Sequence, residues 1–397
     1  MKYNRLEDLQ EIAGKRALVR VDFNVPQDEN RNVTDDTRIR AAIPTIRYLQ
    51  EQGCSLVLCS HLGRPNGQVS KRFRMMPVAK CLAQVLHANE LPDEVICVEE
   101  TVGENVEECA ADLKPGQILL IENLRFDPGE KKNDKKFAAK LAKLGDFYVN
   151  DAFGVSHRAH ASVNALPQLF EQAAAGLLVD QELAGLNHIL HNTKKPSIAI
   201  IGGAKVSDKI TMIQNLARFC DHILIGGAMA FTFIKANGVD VGKSRVEEDK
   251  LELAKKIQDY CRLQQCQIHL PSDFVCAETF SEDAEPSVHS DIPATAMGLD
   301  IGPATQAHFA GLIRRAKCIF WNGPMGVFEW ASFASGTKCV GAAMSEADGY
   351  TVIGGGDSAA AAAQFGFADK MNHVSTGGGA SLALIEGSPL PGIEFLS

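Results

Sequence analysis

Short apolar runs alternate with longer amphipathic segments along the whole chain, and nearly every run stops at Gly, Asp, Asn or His. Ala17 to Val21, Ser55 to Cys59, Ile118 to Glu122 and Phe147 to Asn150 have this form in the first half. Ser197 to Ile201, His222 to Ile225, Gln267 to Leu270, Cys318 to Trp321 and Tyr350 to Ile353 repeat it in the second. Uninterrupted apolar strands with helical crossovers specify parallel sheets covered on both faces, so the chain reads as α/β. Polar residues at strand C-termini are where such sheets present ligand-binding loops.

At 397 residues the chain is long enough for two domains, each with its own core. Gln181 to His191 reads as a helix and Asn192 to Pro196 as a turn, which places the junction between residues 175 and 195. The expected division is 1–180 and 181–387, with residues 388–397, helix-free and rich in Pro and Gly, packing back on the first domain. The Lys-dense stretch from Glu130 to Lys143 reads as a solvated amphipathic helix.

Charge narrows the function. Forty Lys and Arg against 49 Asp and Glu give −9, which disfavours nucleic acid as a partner. Yet 12 of the 17 Arg precede residue 188, which points to a local anion site in the first half, because the guanidinium fork fits carboxylate and phosphate. Eleven Cys without a C-x-x-C pair indicate neither a disulfide framework nor a zinc knuckle. The pairs His157/His160 and His188/His191 have metal-like spacing but no accompanying Cys or acidic pattern. With no signal-like N-terminus and no apolar run of about 20 residues, the expected location is cytoplasmic, away from membranes.

The densest motif is Gly354-Gly355-Gly356-Asp357-Ser358, which follows a strand and opens into five alanines. Glycines let backbone approach a ligand closely, and a helix N-terminus attracts anions. Ser375 to Ser381 repeats the arrangement, and two such loops in succession favour phosphate over tight turns. Gly202-Gly203-Ala204-Lys205-Val206-Ser207-Asp208-Lys209 adds two lysines four apart, expected on one helical face. Gly226-Gly227-Ala228, without charge, suits either a flat base or helix packing. Gly238 to Ser244 is one residue short of a phosphate loop and reads as a surface loop.

In the first half, Asp22, Asn24, Arg38, His61, Arg64, Arg125 and Arg158 fall in loops after strands or just beyond them. One half thus offers an Arg-rich anion pocket and the other polyphosphate loops, the division that bi-substrate phosphoryl transfer requires.

These motifs, with Trp321-Asn322-Gly323-Pro324-Met325-Gly326-Val327-Phe328-Glu329, resemble the phosphoglycerate kinase family over essentially the whole chain. The resemblance implies two Rossmann-like domains joined by a helical hinge, a monomer, and reversible transfer between 1,3-bisphosphoglycerate with ADP and 3-phosphoglycerate with ATP, in glycolysis, with Mg2+ as the nucleotide complex. It implies that Asp22, Phe23, Asn24, Arg38, His61, Leu62, Gly63, Arg64, Arg125 and Arg158 bind the phosphoglycerate. Arg38, Lys205 and Gly356 are implied to serve catalysis. Lys209, Asn322, Glu329, Gly355, Gly356, Asp357 and Ser358 are implied to bind nucleotide, with Asp357 on the metal. A carboxylate acceptor is already ionised at neutral pH, so the lack of an obvious general-base motif is consistent with it.

Overall fold

The structure is a computed structural model that describes residues 2–191 and 194–396. Described residues within Met1–Leu183 and Pro389–Ser397 form one compact unit, and those within Ala184–Ser388 a second. The division falls inside the helix Leu177–Leu190. Asn192 and Thr193 of the expected turn lie outside the described residues.

The first unit holds six strands, β1 (Arg16–Val21), β2 (Ser55–Cys59), β3 (Val95–Cys97), β4 (Ile118–Leu120), β5 (Phe147–Asp151) and β6 (Ala173–Ala175). Their order is β3-β4-β2-β1-β5-β6, and every pairing is parallel. Residues 17–21 and all of β2 and β5 are buried on both faces, which is why their sequences lack polar alternation. Helices such as Thr37–Glu51 and Met76–Ala88 cover the sheet with apolar stripes.

Residues 389–396 join this unit through main chain: Asn4 N–H donates to Leu396 O at 2.6 Å and Asn150 Nδ2 to Gly392 O at 2.7 Å.

The second unit comprises β7 (Ser197–Ile201), β8 (His222–Ile225), β9 (Gln267–His269), β10 (Phe274–Ala277), β11 (Ser287–His289), β12 (Met297–Ile301), β13 (Cys318–Asn322), β14 (Tyr350–Ile353) and β15 (His373–Val374). Six of them form a parallel sheet ordered β15-β14-β13-β7-β8-β9. The other three form a small antiparallel sheet, β11-β10-β12, which the sequence pattern did not suggest. No helix among the described residues is long and apolar enough to cross a membrane.

Three local expectations need correction. The segment from Glu130 to Lys143 is two short helices, Pro128–Lys131 and Lys135–Ala142, the second capped by Asp134 accepting from Lys136 and Phe137 N–H. Glu130, far from solvated, is wholly buried. Lys205 and Lys209 share no helical face, because the helix begins only at Ile210; residues 206–209 form a turn in which Glu247 accepts from Ser207 N–H at 3.1 Å and Oγ–H at 2.6 Å. The loop Gly238 to Ser244 is not simply on the surface: Ser244 is buried and its Oγ accepts from Gly298 N–H at 2.9 Å.

Candidate functional site

Because the strands within each large sheet run parallel, the loops after their C-termini gather along one edge. In the first unit those are the loops after β1, β2, β4 and β5, and each delivers residues anticipated from sequence. Asp22 accepts an ion-pair hydrogen bond from Arg38, which projects half-exposed from the first turn of Thr37–Glu51. Phe23 is buried, its N–H donating to Ser60 Oγ at 2.9 Å. Asn24 Oδ1 accepts from Gly63 N–H at 2.8 Å, tying the first loop to the second.

Asn123 carries out the same task from the third loop. Its Oδ1 accepts from Leu62 N–H at 3.1 Å and its Nδ2 donates to Leu62 O at 2.7 Å, so the His61–Arg64 turn is held from both sides. Arg125 Nη1 donates to Gly63 O at 2.6 Å, while its buried Nε has no partner. Arg158 is exposed and donates through Nε to His157 Nε2 at 3.1 Å. Arg64 is exposed and unpaired among the described residues.

Behind these residues lies a buried layer that sequence reasoning did not single out. Arg20, 1% exposed, donates through Nε to Ser162 Oγ at 3.1 Å and through Nη1 to Val21 O, and its Nη2 lies 3.1 Å from His61 Nδ1. Glu130 accepts from Ser162 N–H at 2.9 Å and Oγ–H at 2.6 Å. No local pattern marks Arg20, whose place in an apolar strand was the only available signal: a charge there must be paired.

The electrostatics report on proximity. Burial, then the Arg20 and Arg158 charges, lower the Arg125 pKa to about 10. Burial followed by Arg20, Arg125 and Arg38 holds His61 well below the ordinary imidazole range. His160 falls to about 4 through burial and the charges of Arg125, Arg20 and Arg158. Guanidiniums brought this close, with Asp22 and Glu130 as the carboxylates that act on Arg125, repel one another unless an anion sits between.

In the second unit, the loops after β7, β8, β13 and β14 line a cavity of about 550 Å³. Close backbone approach builds its floor. A Cβ on Gly202 would stand 2.0 Å from Pro324 O, and one on Gly227 would meet Gly203 N at 2.6 Å. Asn322 ties two of these loops together: its Oδ1 accepts from Lys209 Nζ and its Nδ2 donates to Gly354 O at 2.6 Å. Burial lowers the Lys209 pKa while Asp357, Asp208 and Glu386 oppose the shift.

The helix Gly356–Gln364 starts from Gly355 at φ +95° with no side-chain cap, so its first N–H groups are free to receive an anion. Ser358 departs from expectation: it is buried and its Oγ accepts from Gly323 N–H at 2.5 Å, so the hydroxyl braces the loop after β13 rather than facing a ligand. Lys205, Glu329 and Asp357 are exposed and unpaired among the described residues; the latter two line the cavity. Asp357, one free carboxylate beside a phosphate-receptive helix end, fits Mg2+ held through a single carboxylate and nucleotide phosphates. In the second glycine loop, Ser375 and Ser381 hydroxyls bond to each other at 2.5 Å.

The histidine pairs serve other ends. His160 Nδ1 lies 3.9 Å from Glu130, and the His188 ring packs on Tyr350 at 4.0 Å.

Parallel sheets with glycine-rich helix N-termini at their strand ends define a nucleotide-binding α/β class. Comparison with known proteins gives the family. The phosphoglycerate kinase family model matches residues 6–388. Phosphoglycerate kinases of Herpetosiphon aurantiacus and an Anaeromyxobacter species are 51% and 50% identical, over 97% and 98% of both chains. The solved phosphoglycerate kinase of Coxiella burnetii aligns at TM-score 0.90 with 36% identity, covering 100% of this chain and 99% of that one. That of Pyrococcus horikoshii aligns at 0.81 with 31% identity over 99% and 98%. The chain belongs to the phosphoglycerate kinase family.

Proposed function

We propose that the protein catalyses reversible phosphoryl transfer between 1,3-bisphosphoglycerate and ADP, giving 3-phosphoglycerate and ATP, as a step of glycolysis, and that it works in the cytoplasm as a monomer. Beyond family membership, the supporting observation is the division of anion sites. The first unit gathers Arg20, Arg125, Arg158 and His61 with Arg38 nearby, and the second offers a cavity with free helix N–H groups, Lys209 and Asp357.

In this reading Arg64, Arg125, Arg158 and His61 hold the 3-phosphate, while Asp22 and Asn24 fix the glycerate; the backbone around Phe23, Leu62 and Gly63 shapes the seat. Lys209, Asn322, Gly355, Gly356 and the Ser358 N–H hold nucleotide phosphates, and Glu329 the ribose. Asp357 would hold Mg2+, which as part of the nucleotide neutralises charge on the phosphates.

The acceptor carboxylate is ionised and needs no base. What the chain must supply is alignment and charge: Arg38 from one unit, and Lys205 with the Gly356 N–H from the other, stabilise the equatorial oxygens of the transferring group. Since acceptor and nucleotide groups belong to different units, in-line transfer requires a closed ternary complex that excludes water.

The deciding experiment measures ADP formation from MgATP with and without 3-phosphoglycerate, with an enzyme that consumes 1,3-bisphosphoglycerate as it forms. Turnover dependent on 3-phosphoglycerate is expected. Its absence with MgATP binding intact rejects this acceptor. Sedimentation tests the monomer, and compaction in small-angle scattering with both substrates bound tests closure.

A further inference from the structure

The transfer chemistry gives no task to Glu130, a wholly buried carboxylate of the first unit. A charge in the interior is costly unless it is paired. Arg20, 1% exposed, would serve best in a direct two-pronged ion pair. Instead the buried Ser162 stands between them: Glu130 Oε1 accepts its Oγ–H at 2.6 Å, and Arg20 Nε–H donates to the same Oγ at 3.1 Å. The segments that carry these groups are tied together. Glu130 Oε2 accepts from Ser162 N–H at 2.9 Å, Tyr148 Oη–H donates to Ser162 O at 2.7 Å, and Asn133 Oδ1 accepts from Ala165 N–H at 3.1 Å.

A serine hydroxyl has a single proton. Glu130 takes it, which turns the Oγ lone pairs toward Arg20 and sets the direction of each later bond. Arg20 is held through Nε at Ser162 and through Nη1 at Val21 O, so its Nη2 is aimed at His61 Nδ1, 3.1 Å away. The imidazole has a competing state, because Asp22 Oδ1 lies 3.7 Å from the same Nδ1 and would accept a proton from it if Arg20 withdrew. That tautomer leaves a lone pair on Nε2, which repels a phosphate oxygen; the Arg20-bonded tautomer offers Nε2–H. We infer that Glu130 and Ser162 are positioning residues of the phosphate seat: acting through Arg20, they hold His61 as the Nε2–H tautomer that donates to the 3-phosphate. The seat itself rests on the phosphoglycerate reading given above.

Ser162→Ala removes the relay and keeps the charges, whereas Glu130→Gln keeps the shape and removes the charge. Nitrogen-15 NMR of the full chain without ligand is expected to show His61 as one Nε2–H tautomer, and as a mixture with Nδ1–H in both variants. KM for 3-phosphoglycerate is expected to rise about tenfold in each, the size of a lost hydrogen bond to a charged group, with kcat and KM for MgATP retained. Charge alone has the opposite effect in Glu130→Gln, since deleting an anion beside a phosphate seat tightens it. In a His61→Ala background, Ser162→Ala should add less than about twofold. A single Nε2–H tautomer in Ser162→Ala, a lowered KM in Glu130→Gln, or effects that add to those of His61→Ala overturn the inference. Thermal melts identify a variant that fails to fold. The unmodified enzyme then decides, because the buried Arg20 Nε–H exchanges slowly if the relay is intact and fast exchange rejects it. If 3-phosphoglycerate supports no turnover, the proposed reaction fails, while the tautomer in the two variants still decides the relay.

Discussion

Arg20 Nη2 lies 3.1 Å from His61 Nδ1, and this contact fixes the state of the imidazole. A guanidinium cannot accept, so Nδ1 must, and the neutral ring carries its proton on Nε2. Asp22 Oδ1, 3.7 Å from the same nitrogen, is the only carboxylate paired with His61 among the described residues, and burial together with three arginines outweighs it. Nitrogen-15 NMR is expected to show His61 neutral, as the Nε2–H tautomer, at pH 6.5. A protonated His61 at that pH would contradict the arrangement. His61→Gln, whose amide reaches the Nε2 position, should retain more 3-phosphoglycerate affinity than His61→Asn.

Arg38 and Lys205 are exposed, so replacing them should leave the fold intact and strike only the reaction. Arg38→Ala and Lys205→Ala are each expected to lower kcat by about 100-fold or more, the scale of losing one charge-stabilising donor. Circular dichroism should be unchanged. Near-normal turnover in either variant would remove that residue from the proposed clamp.

Asp151 closes β5 and accepts through Oδ1 from Leu178 N–H at 3.0 Å, anchoring the helix Leu177–Leu190, while its buried Oδ2 has no partner. Burial raises its pKa from 3.8 to about 7. The folded form therefore binds the proton more tightly than the unfolded chain; this contribution is full below pH 4 and is lost as pH rises through 7. Asp151→Asn cannot titrate. Urea unfolding should show the variant gaining on the parent between pH 4 and 7, by roughly 4 kcal/mol for a shift of about three units, and levelling above pH 8. A pH-independent difference would refute the assignment.

Two glycines should respond oppositely to one methyl group. Gly202→Ala drives its Cβ into Pro324 O and Gly323 O, backbone atoms that cannot swing aside. A loss of about 2 kcal/mol or more is expected, with weakened nucleotide binding. Gly311, within the helix Pro303–Ile313, has open space at the same position. Gly311→Ala should stabilise by about 0.5–1 kcal/mol. Thermal melts of both variants supply the comparison.

Strands such as Ser55–Cys59 and Ser197–Ile201 were legible because sheets covered on both faces leave no polar alternation. The glycine loops were legible because close backbone approach admits no side chain. The strands Val95–Cys97 and Ala173–Ala175 were not: one is three residues long and the other all alanine, with little intrinsic strand preference. In the candidate site, exposed residues such as Arg38 and Asp357 could be chosen by position after a strand. Glu130 could not, since its burial depends on Ser162, 32 residues away, and the surrounding lysines suggested solvent. Ser358 shows the same limit: its hydroxyl goes to Gly323, 35 residues earlier, a pairing that no local pattern encodes.

The hydrogen bonds of Asn4 to Leu396 and Asn150 to Gly392 also order events in time. A ribosome delivers residues 184–388 before 389–396, so the second unit has all its sequence while the first, begun earlier, still lacks its closing segment. The half of the molecule that is made first is thus finished last. Emergence of residues 389–396 from the exit tunnel, rather than synthesis of residue 183, is the moment at which the first unit can complete its packing.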